Sequence, residues 1–579
     1  MSAKEIMTGN EAIARGAYEA GVTVGTAYPG TPSTEILETL ARYKGIHCNW
    51  SVNEKVALEV GIGASLAGAR VITCMKHVGV NVAADPLVTF SYTGVGGGLV
   101  LVAADDPGMH SSQNEQDSRH LARLAKIPVL EPADSQEAKD FVLYALELSE
   151  RFDTPVLLRS STRISHSRGL VALGEPLPRE PKEYVKNAPK YVMLPAYARR
   201  RHPLVEARLQ ALQEEAEKSP LNRIEAGSPE LGVVCSGVAY QYVKEALPDA
   251  SVLKLGFSYP LPAGLVRRFA AAVKRLLVVE ELDPFMEEQI RALGLEVTGK
   301  ELFPAVGEYS TELIREKVRG ESRGTIPPRE IPSRPPLLCP GCSHRGVFYV
   351  LKQLKVHVMG DIGCYTLAAT PPLEAMDSCI CMGASIGTAL GMVLAKPELA
   401  GRTVAVIGDS TFLHSGITPL IDVVYNAAPV TVLILDNGTT AMTGHQAHPG
   451  TGFTLQGKKV PAVDLEALCR AVGVRRVAVV DPFQLDRLRQ TLKEELAAGE
   501  PSVIIARHPC PLLTRESSPP LAVKEDKCNG CRLCLRLGCP AISFDGKKAA
   551  VNPSLCNGCG LCAQVCRQQA IIPVSEEGR

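Results

Sequence analysis

Eight cysteines crowd the stretch between Cys528 and Cys566, and a segment so built must fold around whatever those thiols bind. They fall in two runs, CNGCRLCLRLGCP with Cys528, Cys531, Cys534 and Cys539, and CNGCGLCAQVC with Cys556, Cys559, Cys562 and Cys566. Overlapping CxxCxxC triplets followed by a fourth cysteine suit two [4Fe–4S] clusters, each loop wrapping three thiolates around one cube while its fourth cysteine ligates the other. On that pattern Cys528, Cys531, Cys534 and Cys566 hold one cluster, and Cys539, Cys556, Cys559 and Cys562 the second. Two departures stand out: four residues rather than three precede Cys539, and Arg567 takes the place of a proline after Cys566. Neither removes a ligand. Structural zinc prefers paired CxxC units to triplets, and disulfides do not suit a cytosolic chain.

The 579 residues are enough for three or four domains of ordinary size, and 45% hydrophobic residues can fill their cores. Lys plus Arg and Asp plus Glu both number 62, so no global field draws the chain to nucleic acid or to an anionic membrane. Neither partner is expected. The N-terminal segment carries Glu5 and Glu11 and no apolar h-region, and no run of eighteen apolar residues occurs, which points to the cytoplasm. Eighteen cysteines are better explained by metal binding than by oxidation.

Three connecting stretches divide the chain: a proline-rich and charged stretch at 176–228 containing the helix-like VEARLQALQEEAEKS, RGESRGTIPPREIPSRPP at 319–336, and LLTRESSPP at 512–520. Short β-branched runs such as LVLVAA, RLLVVEE, TVAVIGDS and VTVLILDN alternate with helix-like segments. The expected fold class is therefore α/β, doubly wound parallel sheets followed by a small C-terminal module of the ferredoxin type at 521–579.

The segment 403–444 reads as strand, turn, helix, strand, turn, placing Asp409 and Asn437 at the carboxyl ends of successive strands. Ligands bind on that edge of a doubly wound sheet, and an acid and an amide oxygen there suit Mg2+, with the Thr439 carbonyl available as a third oxygen. A βαβ turn capped by an Asp is the ordinary alternative. Gly408-Asp409-Ser410, with Asn437 following 28 residues after Asp409, resembles the thiamine diphosphate motif.

The resemblance extends further. GNEAIARGAYEAGVTVGTAYPGTPSTEI and WSVNEKVALEVGIGASLAGAR are similar to the pyrimidine domain of the 2-oxoacid:ferredoxin oxidoreductases, and the chain looks most like the large subunits of that family that act on indolepyruvate. It covers the whole chain: pyrimidine domain (1–175), transketolase C-terminal-like domain (229–318), diphosphate domain (337–511) and ferredoxin-type module. It implies that Glu54 contacts the aminopyrimidine ring and drives loss of the C2 proton, general acid–base work for a carboxylate beside an apolar ring. From the residues alone, Glu54 reads as a solvated helix position. Loops around Thr31, Ser33 and Thr34, around Lys76, His77 and Asn81, and from His110 to Asn114 approach substrate in this family, Thr31 and His77 foremost. Turn and cap chemistry uses the same residue types.

Cys339 and Cys342 in LCPGCSHR, Cys364 in GDIGCYT and Cys510 in RHPCPLL match the family's third, proximal [4Fe–4S] cluster, which would shorten the electron path. Cys48, Cys74, Cys235, Cys379, Cys381 and Cys469 read as core residues. The resemblance implies oxidative decarboxylation of an arylpyruvate, indole-3-pyruvate first, with coenzyme A taking the acyl group and ferredoxin the electrons. It also implies a smaller beta subunit in a dimer of heterodimers. The rivals are the same chemistry on pyruvate, 2-oxoglutarate or phenylglyoxylate, an electron-transfer subunit without a catalytic site, and a non-oxidative thiamine decarboxylase.

Overall fold

The computed structural model describes residues 3–177, 180–321, 335–514 and 518–574. The chain forms two compact units, 1–329 and 330–579. Most of the 319–336 stretch lies outside the described residues, as do 515–517 and 575–579.

The first unit is built on a seven-stranded sheet in the order Phe257–Tyr259, Val129–Leu130, Val156–Ser161, Leu99–Asp105, Val71–Lys76, Val24–Ala27, His47–Trp50. All neighbours run parallel except the first pair. VITCMK, LVLVAAD and VLLRSS are buried along their whole lengths, as strands covered by helices on both faces must be. The doubly wound parallel architecture read from these runs is present.

A second sheet, in the order Leu276–Val279, Ser228–Ser236, Ala250–Leu255, Asn222–Glu225, is parallel apart from its last strand. Two features escape the linker reading of 176–228. Asn222–Glu225 belongs to this sheet, and the segment read as helix-like, VEARLQALQEEAEKS, is helical up to Lys218 as the end of a longer, 24-residue helix, Pro195–Lys218, buried at Val205, Arg208, Leu212 and Ala216. The segment after 228 also lends Phe257–Tyr259 to the edge of the first sheet, so one apolar core runs from Leu58 and Phe90 to Phe269 and Phe285.

Two buried arginines complete that unit. Arg119 Nη1 stands 2.8 Å from Glu280 Oε2, while Arg159 donates to Asp105 at 2.6 Å and to Glu131 at 2.5 Å. A charge so deeply buried persists only when paired and hydrogen-bonded.

The second unit carries a five-stranded, all-parallel sheet in the order His357–Met359, Thr403–Gly408, Thr431–Asp436, Ser502–Arg507, Arg476–Val480. The cysteine module follows as two small antiparallel pairs, Leu521–Val523 with Ile571–Pro573 and Ile542–Phe544 with Ala549–Val551. It is not set apart on a tether. Leu537, Leu561, Cys562 and Val565 share a core with Val347, Phe348 and Tyr365 of the sheet domain. Arg345, 2% exposed, donates to the carbonyls of Leu338, Leu537 (2.6 Å) and Cys339 (3.1 Å), tying the two parts together.

Candidate active site and thiol clusters

In the first unit, Asn53 caps the helix Glu54–Leu66 by accepting the Val56 amide at 2.9 Å, which makes Glu54 the first helical residue, on the carboxyl edge of the sheet. The helix is drawn onto the sheet by Thr26 Oγ1, which donates to Ala57 O at 2.8 Å, and by Gly61, where a Cβ would lie 2.5 Å from Thr73 Oγ1. Glu54 is 5% exposed and not the solvated residue its sequence context suggests. Its carboxylate lies against Gly79, whose absent side chain makes the room: a Cβ there would sit 2.7 Å from Oε1.

The other expected loops meet on the same edge. Ser111 Oγ donates to the Thr31 carbonyl (3.2 Å), and Lys76 Nζ donates to Ser111 O (2.6 Å). His77 Nε2 stands 3.2 Å from Asn114 O, while its Nδ1 is buried without a hydrogen-bond partner. Asn81 donates to Gln116 Oε1 at 2.9 Å. Ser33 donates to Gly30 O and Thr34 accepts the Gly30 amide, the turn chemistry that competes with a ligand role. His110 faces Glu308 at 3.4 Å on the surface.

In the second unit, the strands ending at Gly408 and Asp436 are parallel neighbours, so Asp409 and Asn437 emerge side by side. Asp409 accepts the amides of Ser410 and Gly438, each at 2.8 Å, and His448 Nε2 stands 3.2 Å from its Oδ2. Asn437 Oδ1 accepts the Thr439 amide at 3.1 Å, and its Nδ2 lies 3.4 Å from His344 Nε2. Ser410 Oγ and Thr440 Oγ1 are 2.8 Å apart. Burial pushes His344 down to about 4 against the pull of Asp409, so it is neutral at pH 7.

Sequence reasoning passed over Asp436. Burial raises its carboxyl pKa, and neighbouring Asp409 raises it further against the opposing effect of Arg507. Asp436 Oδ2 already accepts from Arg507 Nε at 2.6 Å, which leaves Asp409 and the Asn437 amide as the oxygen donors of the kind a hard cation takes. Asp361, also passed over, accepts the amides of Ile362, Gly383 and Ser385 and so fixes the entry to the helix Ala384–Ala395.

The twelve cysteines singled out sort into three groups of four. Burial raises the Cys534 thiol, and Cys566, Cys531 and Cys528 add to it. These four also line one cavity, together with Gly530, Arg532 and Ala570. Burial likewise pushes Cys562 up to about 12, with Cys559, Cys539 and Cys556 contributing. The third group forms around the sheet domain: Cys342 is pushed up to about 12 by burial, with Cys339 and Cys364 adding, and Cys364 by burial, Cys339 and Cys510. Four thiols brought near one another are the kind of donor set that a metal centre takes, and its binding would release their protons. Both sets from the terminal runs include the fourth cysteine of the opposite run.

The groups also lie in order. Cys510 donates its amide to Asn437 O at 3.0 Å, and Tyr365, next to Cys364, accepts the Gly408 amide at 2.9 Å, so the third group is built onto the Asp409–Asn437 loops. Gly341, between Cys339 and Cys342, abuts Asn557 in the second group's loop. The first group is outermost, and Cys531 is its exposed member. Of the cysteines read as core residues, Cys48, Cys74, Cys235 and Cys469 are buried. Cys379 is half-buried and Cys381 exposed, because both lie in the loop entering the helix Ala384–Ala395 and not on a strand.

No helix among the described residues is long and apolar enough to cross a membrane. Residues 15–218 match the thiamine-diphosphate-binding family of pyruvate flavodoxin/ferredoxin oxidoreductases, 361–506 the C-terminal TPP-binding domain of thiamine pyrophosphate enzymes, and 549–572 a 4Fe–4S binding domain. The chain is 44% identical to indolepyruvate oxidoreductase subunit IorA of Archaeoglobus fulgidus, over 98% of this chain and 97% of that one. It is 43% identical to the IorA subunit of Pyrococcus horikoshii over 99% and 97%. A 2-oxoglutarate synthase subunit KorA of Archaeoglobus fulgidus is 28% identical over 55% of this chain and 99% of its own. With its thiamine-binding domains, its 4Fe–4S segment and this near full-length similarity, the chain belongs to the indolepyruvate oxidoreductase IorA family of 2-oxoacid:ferredoxin oxidoreductases.

Proposed function

We propose that the chain is the catalytic large subunit of an enzyme that converts an arylpyruvate, indole-3-pyruvate first, and coenzyme A into the aryl-acetyl-CoA and CO2. One 2-oxoacid anion, one thiol and two oxidised ferredoxins give one thioester, one CO2, two reduced ferredoxins and one proton. Bound thiamine diphosphate supplies the carbanion-stabilising chemistry of decarboxylation. Asp409, Asn437 and the Thr439 carbonyl would hold Mg2+, which would supply positive charge for the diphosphate, with Gly408 and Ser410 shaping the loop. Glu54 holds the proton exchanged with its aminopyrimidine, while Thr31 and His77 orient substrate. The twelve cysteines hold three [4Fe–4S] clusters in the groups described.

The observation that carries this reading is the amide of Cys510 on the carbonyl of Asn437, which supports a cluster built onto the cofactor's own loop. A non-oxidative decarboxylase has no use for that arrangement. We place the enzyme in the reducing cytoplasm with a smaller beta subunit, as a dimer of heterodimers, with soluble ferredoxin as acceptor.

The test is product analysis under anaerobic conditions, with kcat/KM compared across indole-3-pyruvate, phenylpyruvate, pyruvate and 2-oxoglutarate. Aryl-acetyl-CoA formed with the highest kcat/KM from an arylpyruvate is expected. A preference for 2-oxoglutarate, in line with the similarity to a 2-oxoglutarate synthase subunit, would keep the chemistry and overturn the substrate.

A further inference from the structure

Cys510 is buried in the third thiol group, and a side chain from the Thr439 loop reaches it: His445 Nε2 stands 3.8 Å from Cys510 Sγ. The loop that carries this half-buried histidine is closed on itself. The Thr440 amide donates to Gln446 O (3.0 Å), Thr439 Oγ1 donates to the same carbonyl (3.3 Å), and the His445 amide donates to Thr440 O (3.1 Å). Gln446 Nε2 donates to Thr443 O at 2.9 Å, and Thr443 Oγ1 donates to Gln446 Oε1 at 2.6 Å. His445 itself takes φ +67°, in the left-handed region that a residue with a Cβ enters only where its surroundings hold it. The ties of the loop therefore aim the imidazole at the sulfur.

Which partner donates in that contact depends on what Cys510 binds. A free thiol carries a proton of its own, whereas a sulfur bound to iron has none and only accepts, so the imidazole must then present Nε2–H. In the terminal groups, backbone amides face the sulfurs: Leu521 N on Cys556 Sγ (3.4 Å) and Ala570 N on Cys566 Sγ (3.3 Å). Leu512 N acts likewise on Cys510, and His445 adds a side-chain donor to it. The sulfurs of a cluster gain negative charge when it takes up an electron, so an N–H aimed at one of them stabilises the reduced form and raises the reduction potential.

We propose that His445 is a positioning residue that raises the reduction potential of the third cluster by donating to Cys510 Sγ; this rests on reading Cys339, Cys342, Cys364 and Cys510 as the ligands of that cluster. Being built onto the Asp409–Asn437 loops, this cluster takes each electron first, in a one-electron step that reduces the cluster and moves no proton. The Thr439 carbonyl and the imidazole lie on one closed loop, so the segment assigned to the cation also makes the first acceptor easier to reduce. The two terminal clusters keep potentials set by their own backbone amides.

The experiment is an anaerobic redox titration of the holoenzyme with its partner subunit, followed by electron paramagnetic resonance, in wild type, His445→Asn and His445→Gln. Asparagine accepts positive φ but is too short to reach the sulfur, whereas glutamine carries an amide N–H on a longer chain. At the ambient potential that half-reduces the third cluster in the wild type, His445→Asn should lower its reduced-to-oxidised ratio roughly three- to tenfold, tenfold being about 59 mV for one electron. His445→Gln should recover most of that shift, and the two terminal clusters should titrate unchanged in both variants. Independently of any variant, wild-type enzyme carrying isotope-labelled histidine should show an imidazole nitrogen coupled to the electron spin of the reduced third cluster. An unshifted third cluster in His445→Asn of full iron content, equal shifts in the two variants, or no imidazole coupling in the wild type would overturn the role of His445 alone. Wild-type iron accounting for two clusters and not three would overturn the reading of those four cysteines, and this inference with it.

Discussion

Gly79→Ala moves the proposed proton-transfer group without removing it. The added Cβ would lie 2.6 Å from Glu54 Cγ, 2.7 Å from Oε1 and 2.9 Å from Cδ. Ordinary van der Waals contact begins near 3.4 Å, so the carboxylate must retreat by about 0.7 Å or the helix His77–Val82 must lift. A misplacement of about 1 Å in a reacting group costs roughly a hundredfold in rate, and the expected loss in kcat is between tenfold and a hundredfold. Overpacking costs about 1–3 kcal/mol, and replacing a helical glycine by alanine returns up to about 1. The variant should therefore remain folded, with unchanged iron content and thiamine diphosphate affinity. The assay is anaerobic viologen reduction at saturating indole-3-pyruvate, beside thermal melting and visible absorbance. A variant with wild-type kcat would refute the assignment of Glu54, because a displaced carboxylate would then not matter.

Three other outcomes follow from the same geometry. Asp409→Asn should weaken thiamine diphosphate binding at least tenfold by calorimetry in the presence of Mg2+ while leaving iron content unchanged; equal affinity would take Asp409 out of the cation site. Arg345→Met should leave the carbonyls of Leu338 and Leu537 without the donor Arg345 supplies, at about 1–3 kcal/mol each, while Cys339 O keeps the Cys342 amide, and so lower the melting temperature of the 330–579 unit and speed cluster loss. An unchanged melting temperature would show that the apolar contacts alone hold the module. Without substrate, Lys76→Met should stabilise the 1–329 unit by up to about 3 kcal/mol at pH 7. A lysine depressed from 10.5 to about 8 costs stability below pH 8, and the cost fades as pH rises toward 10.5. A variant less stable than wild type at pH 7 would contradict the unpaired state of that ammonium.

What the sequence made legible was local in the chain. The CxxCxxC runs, the strand runs and the Asp409–Asn437 spacing are short-range patterns, and each lands where its period or spacing requires. Glu54 was the instructive case: next to Asn53 and Lys55 it reads as a solvated helix position, and only the family resemblance pointed inward. Its burial depends on Gly79, 25 residues away, and on a helix drawn close to the sheet by Gly61. Arg345 could not be recognised as the clasp between sheet domain and cysteine module, since its acceptor Leu537 is 192 residues distant. The pairing of Asp436 with Asp409 needs two strands laid side by side, which no single segment reports. Asn222–Glu225 was read as part of a connecting stretch for a similar reason: a short strand takes its place from a neighbour, so it looks like a connection when read alone.

The central claim, that electrons released on decarboxylation enter clusters within this chain, is tested most directly by freeze-quench electron paramagnetic resonance. The holoenzyme, with Mg2+, thiamine diphosphate and coenzyme A but no external acceptor, is mixed anaerobically with one equivalent of indole-3-pyruvate. The account predicts two electrons per CO2 released, appearing as reduced [4Fe–4S] signals within the turnover time and absent in Glu54→Gln. Reduction of the same clusters by dithionite but not by any 2-oxoacid would contradict it.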